Sequence, residues 1–252
     1  MLFHSYEFIF IFFPLVLIAF FAIGPRHVTA AGGFLALASL FFYAWWSVAA
    51  LPMLVGSIIG NFLAGRALVP RAGRTAPWRK LLLVASITAN LALLSVFKYA
   101  DFFVSNINSG LALLGLSPLP LLHVVLPVGI SFYTFTQIAF LVDCWQGRVN
   151  ETRFVHYVLF VTYFPHLVAG PVLHHAQMMP QFANPSIYRI NHQNLALGIT
   201  LFTIGLAKKL LIADPLGQAA DLVFGQALSA NPPAAPTAWM GVLSYTLQIY
   251  FD

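Results

Sequence analysis

Long apolar segments, each close to the length that crosses a bilayer, follow one another along this chain with short polar connections. A membrane-spanning helix requires about 20 consecutive apolar residues. Sixty per cent of the 252 residues are hydrophobic and only 8% are charged, against about 25% charged in a soluble domain. The sequence therefore predicts an all-α polytopic membrane protein, a single domain over residues 1–252 with seven or eight apolar segments. These segments are 8–23, 29–50, 52–68, 80–97, 122–142, 154–172 and 195–213, with an eighth that begins at Thr237.

Basic residues are concentrated in one loop, which sets the predicted orientation. The loop 65–80 contains no acidic residue and five basic ones, which are Arg66, Arg71, Arg74, Arg79 and Lys80. Such loops remain in the cytoplasm, so counting back through three spans places the N-terminus in the periplasm. The same distribution accounts for the net charge of +5 without any nucleic-acid partner.

Two segments combine apolar residues with Asp, Asn and Gln and are too polar for a simple crossing. The segments 101–116 and 215–228 are predicted to be short amphipathic helices at the membrane interface.

The segment 154–172 is apolar but contains helix breakers. Pro165, Gly170 and Pro171 interrupt it, and irregular backbone at membrane depth is tolerated only where protein or a water-filled cavity satisfies its polar groups. Whether this segment crosses or re-enters the membrane is left open. We expect a cavity here, with polar side chains along its wall or bonded to the freed backbone.

Histidines near this break suggest a site of some kind, since polar groups in membranes are costly and usually functional. His166, His174 and His175 are candidate metal ligands by residue type. Adjacent side chains such as those of His174 and His175 diverge on a helix, so no metal site is predicted. Asp143 is either a functional acid or the partner of Arg148, and the pairing with Arg148 is favoured.

The chain lacks the common motifs of soluble enzymes: Walker A, G-x-G-x-x-G and H-E-x-x-H are all absent. Broken helices are also typical of transporters, so a non-enzymatic transporter remains an alternative.

Four blocks of sequence resemble consecutive blocks of the membrane-bound O-acyltransferase family, and most closely its alginate O-acetylase branch. They are "LPVGISFYTFTQIAFLVDCWQG" (126–147), "YFPHLVAGPVLHHAQMMPQF" (163–182), "GLAKKLLIAD" (205–214) and "YTLQIYFD" (245–252). The opening "MLFHSYEFIFIFFPL" is also similar to the N-terminus of that branch, so the resemblance covers essentially the whole chain.

The resemblance implies an inner-membrane enzyme that transfers acetyl groups through a central tunnel toward an exopolysaccharide such as alginate. It implies acetyl-CoA or an acetyl carrier as the cytoplasmic donor, no bound cofactor, and a periplasmic polysaccharide O-acetyltransferase as partner. Other acceptors on the same scaffold remain open: D-alanyl transfer to teichoic acid, or transfer to a lipid or to peptidoglycan.

The resemblance also bears on individual residues. It places the catalytic histidine of the family in a Trp-His block, which this sequence does not contain, so that residue is expected downstream of Asp252. Lys208 and Lys209 are candidates for binding an anionic donor, or simply for anchoring at the cytoplasmic face. The candidate substrate path is lined by Tyr163, Pro165, His166, Gly170, Pro171, His174 and Gln177.

Overall fold

The computed structural model describes residues 2–70, 77–149, 153–167, 174–227, 229 and 232–252. The chain forms two compact units, Met1–Arg189 and Ile190–Asp252, and each is described by itself. The helices of the first unit are α1 (Phe13–Ile23, after a π-helical turn at Phe8–Phe12), α2 (Val28–Trp46), α3 (Leu51–Leu68), α4 (Trp78–Leu113), α5 (Ile130–Gln146), α6 (Phe154–Thr162), α7 (Phe164–Leu167) and α8 (His175–Ala183). Those of the second are α9 (His192–Lys208), α10 (Asp214–Ala227) and α11 (Ala235–Phe251).

The predicted all-α polytopic membrane fold is confirmed, since no strand occurs among the described residues. Within the described part of the chain, four helical stretches are long and apolar enough to cross a membrane, and Phe8–Ile23 is a shorter apolar helix. The four are Val28–Trp46, Val48–Leu68, Trp78–Leu113 and His192–Ala227. The single domain predicted over 1–252 stays a prediction.

Helix α4 is much longer than its predicted span. It extends over 36 residues, or about 54 Å at 1.5 Å per residue, whereas we expected a span at 80–97 and a separate interfacial helix at 101–116. Some of its polar side chains bond within the helix and so do not interrupt it. The Nδ2 of Asn106, for example, donates to the carbonyl of Phe102, one turn earlier, at 2.7 Å.

The segment between α4 and α5 is not helical, so α5 begins at Ile130 rather than at the predicted Leu122. Side chains of α4 bind the backbone of this segment instead. The Oδ1 of Asp101 accepts the N–H of Leu122 at 2.8 Å, and the Oδ1 of Asn108 accepts the N–H of Leu119 at 2.7 Å. Backbone polar groups need partners, and here side chains supply some that a helix would supply elsewhere.

Three buried amides join α3, α4 and α5 in the first unit. Asn61, Asn90 and Gln137 are each at most 6% exposed. The Nδ2 of Asn90 donates to the Oδ1 of Asn61 at 2.6 Å, and the Nδ2 of Asn61 donates to the Oε1 of Gln137. The hydroxyl of Ser57 donates to the same Oε1 at 3.1 Å. These four residues are called the amide cluster.

In the second unit, a π-helical turn at Lys209–Ala213 joins α9 directly to α10. The described part of the predicted segment 215–228, which ends at Ala227, therefore continues from the preceding helix and is not the separate interfacial helix that we expected. Helix α10 packs closely on α11 at Gly241. A Cβ added at this glycine would lie only 2.6 Å from the Cγ1 of Val223.

Candidate functional site

The predicted helix break is present, and the protein supplies hydrogen-bond partners for it. Helix α6 ends at Thr162 and α7 begins at Phe164. The backbone N–H of Phe164 donates to the hydroxyl of Ser39 on α2 at 3.3 Å. The Ser39 hydroxyl itself donates to the carbonyl of Leu35 at 2.9 Å. Proline lacks an N–H, so Pro165 has no backbone donor to satisfy.

Packing between phenylalanine rings also fixes the position of the break. The ring of Phe164 is 4% exposed and packs against three rings from the first two apolar helices. Its centroid lies 5.3 Å from that of Phe12, 5.6 Å from Phe42 and 6.0 Å from Phe8. Aromatic pairs at these separations are favourable, so the position of the break is determined by packing as well as by hydrogen bonds.

His166 is buried directly after the break and bonds to the backbone of the broken helix. Its Nε2 lies 3.1 Å from the carbonyl oxygen of Phe160. A carbonyl can only accept, so Nε2 donates and carries the proton. The Nδ1 has no hydrogen-bond partner, and in the neutral ring it is an acceptor.

A second group of polar side chains joins the end of α5 to the start of α8. The Oδ2 of Asp143 lies 2.9 Å from the Nε2 of His174 and 3.3 Å from the Nδ1 of His175. The side chains of Asp143 and His175 are 7% and 4% exposed, whereas that of His174 is 50% exposed. These three residues are called the histidine–aspartate cluster.

The environment of His175 favours its neutral form. Burial lowers the pKa of His175, the neighbouring His174 lowers it further, and the carboxylate of Asp143 acts in the opposite direction. The ring lies edge-on to Phe140, with centroids 5.8 Å apart, and neither of its nitrogens makes a hydrogen bond of acceptable geometry.

The arrangement of the two adjacent histidines corrects one premise of the sequence analysis. We expected their side chains to diverge on a helix, but α8 begins only at His175, and His174 precedes it with extended backbone (φ −84°, ψ 140°). The two ring centroids are 4.5 Å apart. Asp143 does lie near Arg148, at 3.7 Å between Oδ1 and Nη1, but the histidines are closer to its other oxygen.

The structure disperses the predicted substrate-path residues. Tyr163 lines an apolar cavity of about 310 Å³ together with Phe164 and side chains of α1, α2 and α8. His166, His174 and Gln177 are not among the residues that line this cavity. Pro165 and Gln177 are exposed. Gly170 and Pro171 lie outside the described residues.

The two candidate donor-binding lysines differ in their environments. The ammonium of Lys209 lies 3.1 Å from the Oδ1 of Asp214 and also contacts the carboxylate of Asp252. Two carboxylates already neutralise its charge, which makes it a poor site for an anionic donor. Lys208 is exposed.

Sequence reasoning missed Ser39 and the partnership of Asp143 with the two histidines. A serine in an apolar helix usually bonds to its own helix, and nothing in the sequence shows that Ser39 also receives a bond from Phe164. The approach of Asp143 to His174 depends on where α8 begins, which the sequence alone does not reveal.

Several named bacterial proteins are similar to this chain over its whole length. The peptidoglycan O-acetyltransferase of Helicobacter pylori is 39% identical over the whole of this chain and 51% of its own length. The probable alginate O-acetylases AlgI of Pseudomonas syringae pv. tomato and of Pseudomonas putida are each 38% identical, over 100% of this chain and 47% and 50% of their own lengths. No family model matches the chain, and no solved structure does.

The chain thus spans about half the length of the curated relatives that it matches. The resemblance inferred from the four sequence blocks is confirmed, because relatives with these names align with the chain from end to end. Over its whole length, the chain is similar to proteins named as probable alginate O-acetylases and to one named as a peptidoglycan O-acetyltransferase.

Proposed function

We propose that the protein is a membrane O-acetyltransferase that moves acetyl groups across the inner membrane toward an exopolysaccharide such as alginate. The observation that supports this most strongly is the 35–39% identity, over the whole chain, to proteins named as O-acetylases and O-acetyltransferases. The apolar helices that could cross a membrane agree with a reaction that passes a group from one side to the other.

In this proposal, the chain contributes the wall of the path and not the catalytic base. A histidine downstream of Asp252 would accept the proton of the acceptor hydroxyl as its oxygen attacks the acetyl carbonyl. The carbon–sulfur bond of the thioester then breaks and the thiolate leaves. The break at Tyr163 and the buried acceptor Nδ1 of His166 would line the route, with Pro165, His174 and Gln177 nearby in sequence.

The donor and the orientation belong to the same proposal. Acetyl-CoA or an acetyl carrier would bind on the cytoplasmic side, where Lys208 is the better candidate because Lys209 is held by two carboxylates. The N-terminus would lie in the periplasm, with the basic loop 65–80 in the cytoplasm. A periplasmic polysaccharide O-acetyltransferase would complete the delivery.

Peptidoglycan is the second candidate acceptor, favoured by the relative from Helicobacter pylori, which is 39% identical. D-alanyl transfer to teichoic acid, transfer to a lipid and non-enzymatic transport have no relative of corresponding name among these matches.

The test is to express the complete gene in two bacterial strains, one lacking its alginate O-acetylase and the other lacking its peptidoglycan O-acetyltransferase. Ester-linked acetate is then measured on each polymer. We expect it to return on alginate. Acetate on peptidoglycan alone would establish the second candidate. Acetate on neither polymer, with the protein present in the membrane, would contradict the proposal.

Expression of the His166→Ala variant sharpens this test. We expect this variant to lower acetate transfer while the protein still accumulates in the membrane. Its matched control is His192→Ala, which changes an exposed histidine at the start of α9. Normal transfer by His166→Ala would remove His166 from the proposed path.

A further inference from the structure

The histidine–aspartate cluster has the composition and spacing of a transition-metal site. One ligand atom from each of Asp143, His174 and His175 can be chosen so that all lie within 4.8 Å of one another. Two imidazoles and a carboxylate are suited to zinc, at about 2.0–2.2 Å from the ion. Ligand atoms at that distance around a tetrahedral ion are separated by about 3.3 Å, close to the 3.3 Å between Asp143 and His175.

The state of His175 points to the same ligand. Its side chain is 4% exposed, yet neither ring nitrogen has a hydrogen-bond partner among the residues that the structure describes. A buried polar group without a partner is costly. Its Nδ1 lies near the Oδ2 of Asp143 without the geometry of a hydrogen bond, as expected for two atoms that share an ion. Ligation would give a partner to this Nδ1 and to the Oδ2 of Asp143.

From this geometry we propose that Asp143, His174 and His175 bind one divalent transition-metal ion, with zinc as the preferred ion. The half-exposed side chain of His174 leaves the fourth tetrahedral position open to water. The ion would tie the end of α5 to the start of α8, the two helices that flank the broken segment along the chain. The ion binding rests on this geometry alone and does not require the proposed acetyl transfer, although His174 is shared with the proposed path.

Two existing contacts define what ligation changes. The Nδ1 of His174 accepts the N–H of Ala176 at 3.4 Å, a long contact that is lost when Nε2 binds the ion and the ring proton moves to Nδ1. The direct contact between the Nε2 of His174 and the Oδ2 of Asp143, now 2.9 Å, is replaced by a bond from each atom to the ion. The Arg148 guanidinium lies 3.7 Å from the other oxygen of Asp143, too far for a hydrogen bond, and its positive charge would repel the ion.

The test uses the protein expressed from its complete gene and purified in detergent with a tag that contains no histidine. Zinc content is measured by mass spectrometry, and zinc affinity by competition with a chromophoric chelator. Cobalt(II) is then substituted, since its visible absorption distinguishes tetrahedral from octahedral coordination. We expect about one zinc ion per protein and a tetrahedral cobalt spectrum.

The variants Asp143→Asn and His174→Gln identify the ligands, and neither requires a change at the buried His175. Loss of an outer partner alone weakens metal sites about 10- to 100-fold, so loss of a ligand should weaken zinc binding at least about 100-fold. The matched control His192→Gln changes an exposed histidine outside the cluster and should retain the ion. The proposal is overturned if the wild-type protein binds no zinc, or if both variants bind it as tightly as the control.

Discussion

Two clusters of polar residues, each of which includes one buried side chain of helix α5, differ in how their polar atoms find partners. Gln137 belongs to the amide cluster, and Asp143 lies six residues later in the histidine–aspartate cluster. Asn61 and Asn90 bond to each other through both side chains, at 2.6 and 3.1 Å. Gln137 accepts from Asn61 and Ser57, although its Nε2 has no partner among the described residues. In the histidine–aspartate cluster, His175 has two nitrogens without partners.

The difference follows from the chemistry of the side chains. A carboxamide has both donors and acceptors, so amides on neighbouring helices can satisfy one another. A carboxylate and two neutral imidazoles offer more acceptors than donors. They are completed only by a proton or a cation. The amide cluster is therefore suited to joining helices, whereas the histidine–aspartate cluster is suited to binding a ligand.

The largest expected effect comes from Asn61→Leu, which tests the amide cluster. This change leaves the Oδ1 of Asn90 without its donor and one Nδ2 hydrogen of Asn90 without its acceptor, whereas Gln137 keeps the bond from Ser57. Each buried unsatisfied group costs about 1–3 kcal/mol. We expect the free energy of unfolding to fall by roughly 2–6 kcal/mol, measured by denaturant titration in detergent. Leu63→Ile, at an exposed position of the same helix, is the control. A loss as small as that of the control would mean that the amides do not stabilise the bundle.

Added zinc should stabilise the protein through the other cluster. A ligand that binds only the folded state at 100 times its dissociation constant adds about 2.7 kcal/mol. We expect this increase in wild-type protein and none in Asp143→Asn, by thermal unfolding with and without a chelator. Gln137 and Asp143 are about 9 Å apart along the helix, and effects at such distances are usually additive. Asn61→Leu should therefore gain as much from zinc as the wild type does, and a smaller gain would show that the two clusters are coupled.

The broken helix is the part of the site that the sequence predicted best. Proline cannot continue a helix and a membrane tolerates freed backbone only where the protein bonds to it, so Pro165 predicted both a break and polar partners. The identity of one partner, Ser39, could not be predicted because it lies 125 residues away in sequence. Such a contact depends on how α2 packs against α6.

The ends of the helices and the arrangement of the two histidines were harder to predict, because both depend on which residue begins or ends a helix. Asp101 and Asn108 look like signs of a helix end, yet both lie within α4 and bind the backbone of the next segment. The expected divergence of His174 and His175 assumed that both lie on a helix. In the structure, α8 begins only at His175, and the extended backbone at His174 brings the two rings together.

A smaller effect is expected from Ser39→Ala, which extends the comparison to the helix break. The change removes the acceptor of the Phe164 N–H from a site where Ser39 is fully buried. We expect unfolding to become easier by about 1–2 kcal/mol, measured as for Asn61→Leu. The control Ser105→Ala removes a hydroxyl from an exposed position on α4. A larger loss in the control than in Ser39→Ala would mean that the break is held by the phenylalanine rings and not by this hydrogen bond.

The smallest effect is expected from Arg148→Gln, which separates the two interpretations of Asp143. The guanidinium is 70% exposed and 3.7 Å from the carboxylate, and exposed ion pairs contribute about 0–1 kcal/mol. We expect the free energy of unfolding to change by less than about 0.5 kcal/mol. Zinc should bind slightly more tightly once this positive charge is removed, because a unit charge at 4 Å in water contributes about 1 kcal/mol. If Asp143 serves mainly to hold Arg148, the substitution instead costs as much stability as Asp143→Asn does and leaves zinc binding unchanged.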